Sequence, residues 1–289
     1  NPHQMLKGVY TKVREKMSSF SVPQKNNLDF LGVSSETGSF NKQISPSNFT
    51  TCPMDYKALR ELVRQGEGKY LEFKLKSNHP EKIVREVVAF ANTGGGRLLI
   101  GIGDDRTIKG LKYVDEDEYL LVRAIEKYCS PGIEYHIDRI PIGEERDVLV
   151  FTVLLSEKRP HYVLQEPNPL QSNTTLVKKK IVPQKPNNTL IKKTYIRVAD
   201  KSIQASWEMR EILRRKNDER NVKFQYGDKE QKLMQHLDKH QSVTVDAFAT
   251  VAGISRNLAS KTLILLVLAN VLEVHPDEMV DRFTILGIA

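Results

Sequence analysis

In 289 residues the chain has only two cysteines, one tryptophan and no long apolar run. Two cysteines, Cys52 and Cys129, cannot build a multi-bridge disulfide framework or a four-cysteine zinc site, so both are read as reduced bystanders. The longest apolar run begins at Leu263 and ends before Asn270, far short of the roughly 20 residues a membrane span needs. The first residues lack the basic-then-apolar pattern of a secretory leader. These absences exclude a disulfide-stapled scaffold and a membrane-spanning protein, and lead to the expectation of a cytoplasmic chain with no membrane partner. What is present is a 39% hydrophobic content, ample for one or two packed domains.

The net charge of +8 and a pI near 9.3 favour an anionic partner. The excess is local. Lys and Arg against Asp and Glu stand at 22 to 21 over residues 1–155, 16 to 7 over 156–227, and 6 to 8 over 228–289.

Composition and periodicity divide the chain into an extended or partner-docked arm (1–53), an α+β domain (54–216), a charged linker (217–227) and a small helical domain (228–289). In the α+β domain, a helix from Met54 to Gly66 precedes a strand over 70–76. Pro80 opens a second helix, which Asn92 to Gly94 terminate. A buried strand at 97–102, a turn, a helix at 115–128 and two strands at 133–140 and 147–155 follow. Thr174–Ile181 and Thr189–Val198 are read as a long hairpin carrying Lys178, Lys179, Lys180, Lys185, Lys192 and Lys193, and 206–216 as a basic helix. The last sixty residues read as helix, short helix, Gly253 turn, helix and a two-stranded wing, the order of a winged helix-turn-helix.

The most informative stretch is Glu67 with Leu71-Glu72-Phe73-Lys74, then Ala89-Phe90-Ala91-Asn92-Thr93-Gly94-Gly95, then Gly101-Ile102 with Asp104, and Gly110. Leu71, Phe73 and Leu75 alternate with Glu72, Lys74 and Lys76, so the strand should bury the first set and display the charges. Three carboxylates at Glu67, Glu72 and Asp104 are oxygen ligands of the kind Mg²⁺ or Mn²⁺ prefers. The competing reading pairs Glu72 with Lys74 or Lys76 and makes Asp104 a turn residue. Gly94 to Gly96 follow a helix and precede a strand, the reverse of a phosphate cradle, and no Gly-Lys-Ser/Thr comes after them. ATP is therefore not expected.

With Tyr195-Ile196-Arg197-Val198 added, these motifs resemble the Schlafen AlbA-like domain family, also described as divergent ATPase-like, over about residues 55–215. The resemblance implies a mixed α/β domain. In animal Schlafens that cut tRNA and rRNA the family's acidic trio carries metal-dependent cleavage; Glu67 and Glu72 fall on its two glutamates with the same separation, and Asp104 on its aspartate after a shorter stretch. Bacterial relatives that join this domain to a winged helix are described as transcriptional regulators or DNA-binding proteins.

The expected polyanion contacts are Lys74, Lys178, Lys179, Lys180, Lys192, Lys193 and Arg197, aided by Arg210, Arg214, Arg215 and Lys216 and by stacking on Tyr162, Tyr195 and Trp207. Arg256, Asn257, Ser260 and Lys261 would face a groove at the start of the recognition helix. Against that, the terminal module is net negative, its wing tip Pro276-Asp-Glu is acidic, and its long helix is apolar nearly all round, which suits dimerisation or docking. His136 and His161 are given no role. The reading reached is a nucleic-acid-binding protein, a DNA-associated regulator, with a metal-dependent endoribonuclease acting on structured RNA as the alternative and a homodimer left open.

Overall fold

The computed structural model describes residues 54–143, 145–166, 190–216 and 226–287. The N-terminal arm, Cys52, the first arm of the lysine hairpin with Lys178 to Lys180 and Lys185, and most of the 217–227 linker lie outside them.

A four-stranded sheet is built from β1 (Leu71–Lys74), β2 (Gly96–Ile100), β5 (Asp147–Val153) and β4 (Tyr135–Pro141), side by side in that order. β1 and β2 run parallel and the other pairs antiparallel. The parallel pair needs a crossover, which α2 (Pro80–Thr93) supplies, with Pro80 where no intrahelical N–H is required. Period-two alternation then sends side chains to opposite faces. Leu98, Ile100, Leu149, Phe151 and Val153 pack against α2 and α3 (Val114–Tyr128). Leu71, Phe73, Leu99, Val148 and Val150 pack against Leu59, Leu62 and Val63 of α1 (Tyr56–Gln65). A helix layer on each face explains why β2 and β5 are apolar on both sides.

Three strands, β3 (Cys129–Ser130), β6 (Tyr162–Gln165) and β9 (Lys201–Gln204), went unrecognised in the sequence, and the lysine hairpin is paired differently. β3 and β6 form a small sheet with β7 (Ile191–Lys193), so the described partner of Lys192 and Lys193 is the strand 162–165. The expected strand 189–198 breaks at Thr194: β8 (Tyr195–Val198) pairs with β9 instead. Asn92 ties the two segments to α2. Fully buried inside α2 and no helix terminator, it donates to the carbonyls of His161 and Tyr195 at 3.1 and 2.9 Å and accepts from the His161 N–H at 2.8 Å. The cap is Gly94. Gly96 admits the Phe90 ring, which a Cβ would meet at 2.2 Å, so these glycines serve close packing.

After α4 (Trp207–Lys216) come α5 (Asp228–His240), β10 (Ser242–Val243), α6 (Val245–Ala252), α7 (Arg256–Leu268) and the hairpin β11 (Leu272–His275) and β12 (Arg282–Ile285). β10 adds to the hairpin in the order β10-β12-β11. Thr244 and Ser255 cap α6 and α7, accepting from the N–H groups of Ala247 and Leu258, and Gly253 takes the left-handed conformation between the two helices. Leu233, Phe248, Leu263, Leu272 and Phe283 centre this core. Among the described residues no single helix is long and apolar enough to cross a membrane.

Candidate functional site

β1 is an edge strand, and its outward backbone groups would be open to another chain. The acidic motif closes them. The Glu67 carboxylate accepts from the Phe73 N–H at 2.8 Å, Lys74 Nζ donates to the Phe73 carbonyl at 2.9 Å, Gly68 bridges both backbone groups of Leu71, and Arg197 donates to the Leu71 carbonyl at 3.3 Å. Both outward residues of the strand are thereby satisfied by neighbours in the same chain.

The inner face of β1 points toward α2, and there the expected display of charge is corrected. Glu72 is only 7% exposed. It pairs with Lys74 and, at 2.5 Å, with Arg197. Arg197, 3% exposed, also donates to Glu86 of α2 at 2.8 Å, to Ser202 of β9 at 3.2 Å and to the Gly68 carbonyl at 3.0 and 3.2 Å, while its guanidinium lies 5.2 Å from the Phe90 ring centre. One arginine thus ties β1, α2, β8 and β9 together, as a planar fork of five donors can. Its partners use its charge, so Arg197 is a structural anchor and not a phosphate contact; Lys74 is likewise committed. Burial first, and the neighbouring Glu72 second, push the Glu86 carboxyl above its ordinary value, with Ser202 and Arg197 opposing.

Glu86 was missed in the sequence. It sits between Ile83 and Phe90 at helical spacing, on the side of α2 that is buried, and an acid placed there calls for a buried cation.

The trio expected to hold Mg²⁺ or Mn²⁺ is not assembled. Among the described residues no group of three His, Cys, Asp or Glu side chains is placed to hold a metal ion. Glu67 is spent on the strand edge, Glu72 on two cations, and Asp104 sits on the exposed turn 103–107. Arg197 and Lys74 already supply the positive charge that a divalent ion would bring to Glu72, so this donor set does not fit the metal and no chemistry is derived through one.

The basic elements are mixed. Lys192 is exposed, its ammonium 5.7 Å from the Tyr162 ring centre. Tyr195 is buried, which removes it as a stacking platform, whereas Trp207 is half exposed. On α7, Arg256, Asn257 and Lys261 are exposed, but Ser260 is buried and donates to Glu208 of α4 at 2.7 Å, so it does not face a groove. Arg256 pairs with Asp246 at 2.9 Å and lies 4.0 Å from Glu208.

α4 packs across α7. Ala259, Leu263 and Leu266 face the terminal core, whereas Ser260, Thr262 and Ile264 are buried outside that cluster. The apolar girth of this helix, taken in the sequence as a sign of dimerisation, is used at least in part within the chain. Ser206 adds a second tie, donating to Asp281 at 2.5 Å and accepting from the Met209 N–H at 2.9 Å.

His161 is fully buried; its ring pairs with the Pro131 carbonyl at 2.8 Å and burial lowers its pKa. Cys129 is a buried thiol pushed up to about 12, and so inert.

Residues 67–206, which hold the closed strand edge and the Arg197 anchor, match the family described as Schlafen, AlbA_2, and the chain carries a domain of that family. No curated protein matches the chain. The family suggests a function connected with nucleic acid.

Proposed function

We propose that the chain is a nucleic-acid-binding protein of the DNA-associated regulator type, in which 228–289 act as a winged helix docked on the Schlafen domain through α4. The supporting observation is the selective exposure at the start of α7: Arg256, Asn257 and Lys261 lie on the surface while Ala259, Ser260 and residues 262–264 are buried. A helix whose first two turns offer cationic and amide side chains suits entry by its N-terminal end, where arginine and asparagine can reach base edges. The basic surplus over 156–227 would add sequence-independent grip.

The test incubates the full chain with duplex DNA and with a folded tRNA, in Mn²⁺ or in chelator, and reads mobility shift and cutting together. The regulator reading expects a duplex shift without cutting in either condition. RNA cutting by the wild-type chain in Mn²⁺ that chelator abolishes would replace it with the endoribonuclease reading. Absence of binding to both at moderate salt would overturn both.

A further inference from the structure

Most arginines with described partners are matched to a carboxylate: Arg64 to Glu61, Arg123 to Glu126, Arg139 to Asp115 and Glu118, Arg197 to Glu72 and Glu86, Arg214 to Glu211, Arg256 to Asp246. Arg106 and Arg146 are held differently, on backbone carbonyls, as Arg210 is on the Ser206 carbonyl at 3.4 Å. Arg106 donates from Nη1 to the Arg64 carbonyl at the end of α1, at 3.2 Å. Arg146 donates from Nη1 to the Lys109 and Gly110 carbonyls at 3.2 and 3.4 Å. Neither has a carboxylate within ion-pair distance among the described residues, and both are exposed. A guanidinium anchored by a neutral carbonyl keeps its full charge while losing much of its rotamer freedom, so less entropy remains to be lost when an anion arrives.

Arg106 belongs to one connection and Arg146 donates to carbonyls of the same one. Residues 101–111 fold back on themselves through an Ile102–Ile108 bridge, with Lys109 and Gly110 N–H groups both on the Gly101 carbonyl. Leu111 bridges to Asp147, next to Arg146. Arg106 occupies the left-handed region at φ 63°, a conformation uncommon for a residue with a Cβ and frequent at functional sites. Lys109, three residues on, is exposed, and further along Lys112 lies 5.6 Å from the ring centre of Tyr113, an aromatic 61% exposed. Arg106 and Arg146, fixed and without a carboxylate partner among the described residues, share this connection with Lys109, whose charge acts on Asp105, and Tyr113 follows three residues after Gly110; cations and an exposed aromatic are what a nucleic-acid backbone with an accessible base requires. Asp104 and Asp105 share the turn; Asp105 is occupied by the Thr107 N–H and hydroxyl at 3.1 and 2.6 Å.

We infer that Arg106, Lys109 and Arg146, with Tyr113 following on the same connection, form a phosphate-contacting site on the Schlafen domain, separate from the start of α7. This rests on the nucleic-acid reading above and deepens it by placing backbone contacts on a surface that neither the basic segment nor the recognition helix supplies.

The experiment measures fluorescence anisotropy of a labelled 20-mer duplex and a labelled RNA hairpin against the full chain, over a series of salt concentrations. Arg106→Gln, Lys109→Gln and Arg146→Gln are combined, since glutamine keeps a donor for the same carbonyls and removes the charge. The combined variant is expected to bind about tenfold or more weakly, with the slope of log affinity against log salt reduced by about 2 to 3, and an unchanged circular-dichroism melt. Asp104→Asn, at the exposed tip, should strengthen binding severalfold and stands as an independent arm should the combined variant not fold. Wild-type binding together with unchanged affinity in a folded combined variant, or with no gain in Asp104→Asn, overturns this site alone. A wild-type chain that binds neither probe overturns the nucleic-acid reading and this site with it.

Discussion

Arg197 and Arg256 carry the same charge and use it in opposite ways. The side chain of Arg197 is 1% exposed, with two glutamates, a serine and two backbone carbonyls around it; that of Arg256 is 64% exposed, with Asp246 at 2.9 Å on the surface and Glu208 at 4.0 Å. A buried ion must have every donor met, because desolvation costs several kcal/mol that only a full shell of partners offsets. An exposed one needs nothing and gains little from its pair. The first therefore holds the fold together, and the second remains available to a ligand.

The largest expected effect breaks this comparison at its buried end. Arg197→Ala leaves Glu72 and Glu86 buried with Lys74 as the remaining cation, and should lower stability by about 3–5 kcal/mol in urea unfolding. Arg197→Lys should recover little, having no fork to span β1, α2 and β9. Full stability with lost nucleic-acid binding would place Arg197 on the functional side after all.

Next comes the tie between α4 and α7. Ser260→Ala strips the buried Glu208 of its hydroxyl donor and is expected to cost about 1–3 kcal/mol, read as a lower melting temperature and as faster amide exchange at that contact. An unchanged melt and exchange pattern would mean that α4 and α7 do not depend on this bond.

The pH dependence gives a smaller effect. Burial, first among the causes, raises the Asp281 carboxyl, with Glu208 and Asp277 adding repulsion against the hydrogen bonds of Ser206 and the Asp277 N–H. For an acid raised in the folded state, the stabilising contribution is fully present below the unfolded carboxylate value and is lost as pH rises through the folded one. Asp281→Asn should therefore gain on wild type as pH rises from about 4 toward 7, seen as diverging urea midpoints. Parallel midpoints would show that Asp281 titrates as it does in the unfolded chain.

The smallest change in stability is expected at the exposed end. Arg256→Gln should shift stability by no more than about 1 kcal/mol while lowering duplex affinity and reducing the salt slope by about 1. Loss of stability with affinity intact would reverse the contrast with Arg197.

Helices and strands with strong periodicity were legible in the sequence. Ile83, Val84, Val87 and Val88 mark α2, Pro80 its start, and Gly253 and Ser255 the turn between α6 and α7, because each signal lies within a few residues of what it specifies. β6 and β9 were not legible: four-residue strands with mixed side chains carry too little alternation to stand out. The acidic motif was visible as residues and misjudged as a surface. Alternation placed Glu72 opposite Phe73 correctly, but what covers that face comes from α2 and β8.

By itself the sequence determined the order of elements, the caps, the apolar faces and the carboxylates of the motif. The tertiary structure decided which charges remain free. Glu72 meets its arginine across 125 residues, and Ser260 its glutamate across 52. Local periodicity reports only the face of an element, whereas the fate of a charge depends on the partner that a distant segment brings to it and on the water that the same segment removes.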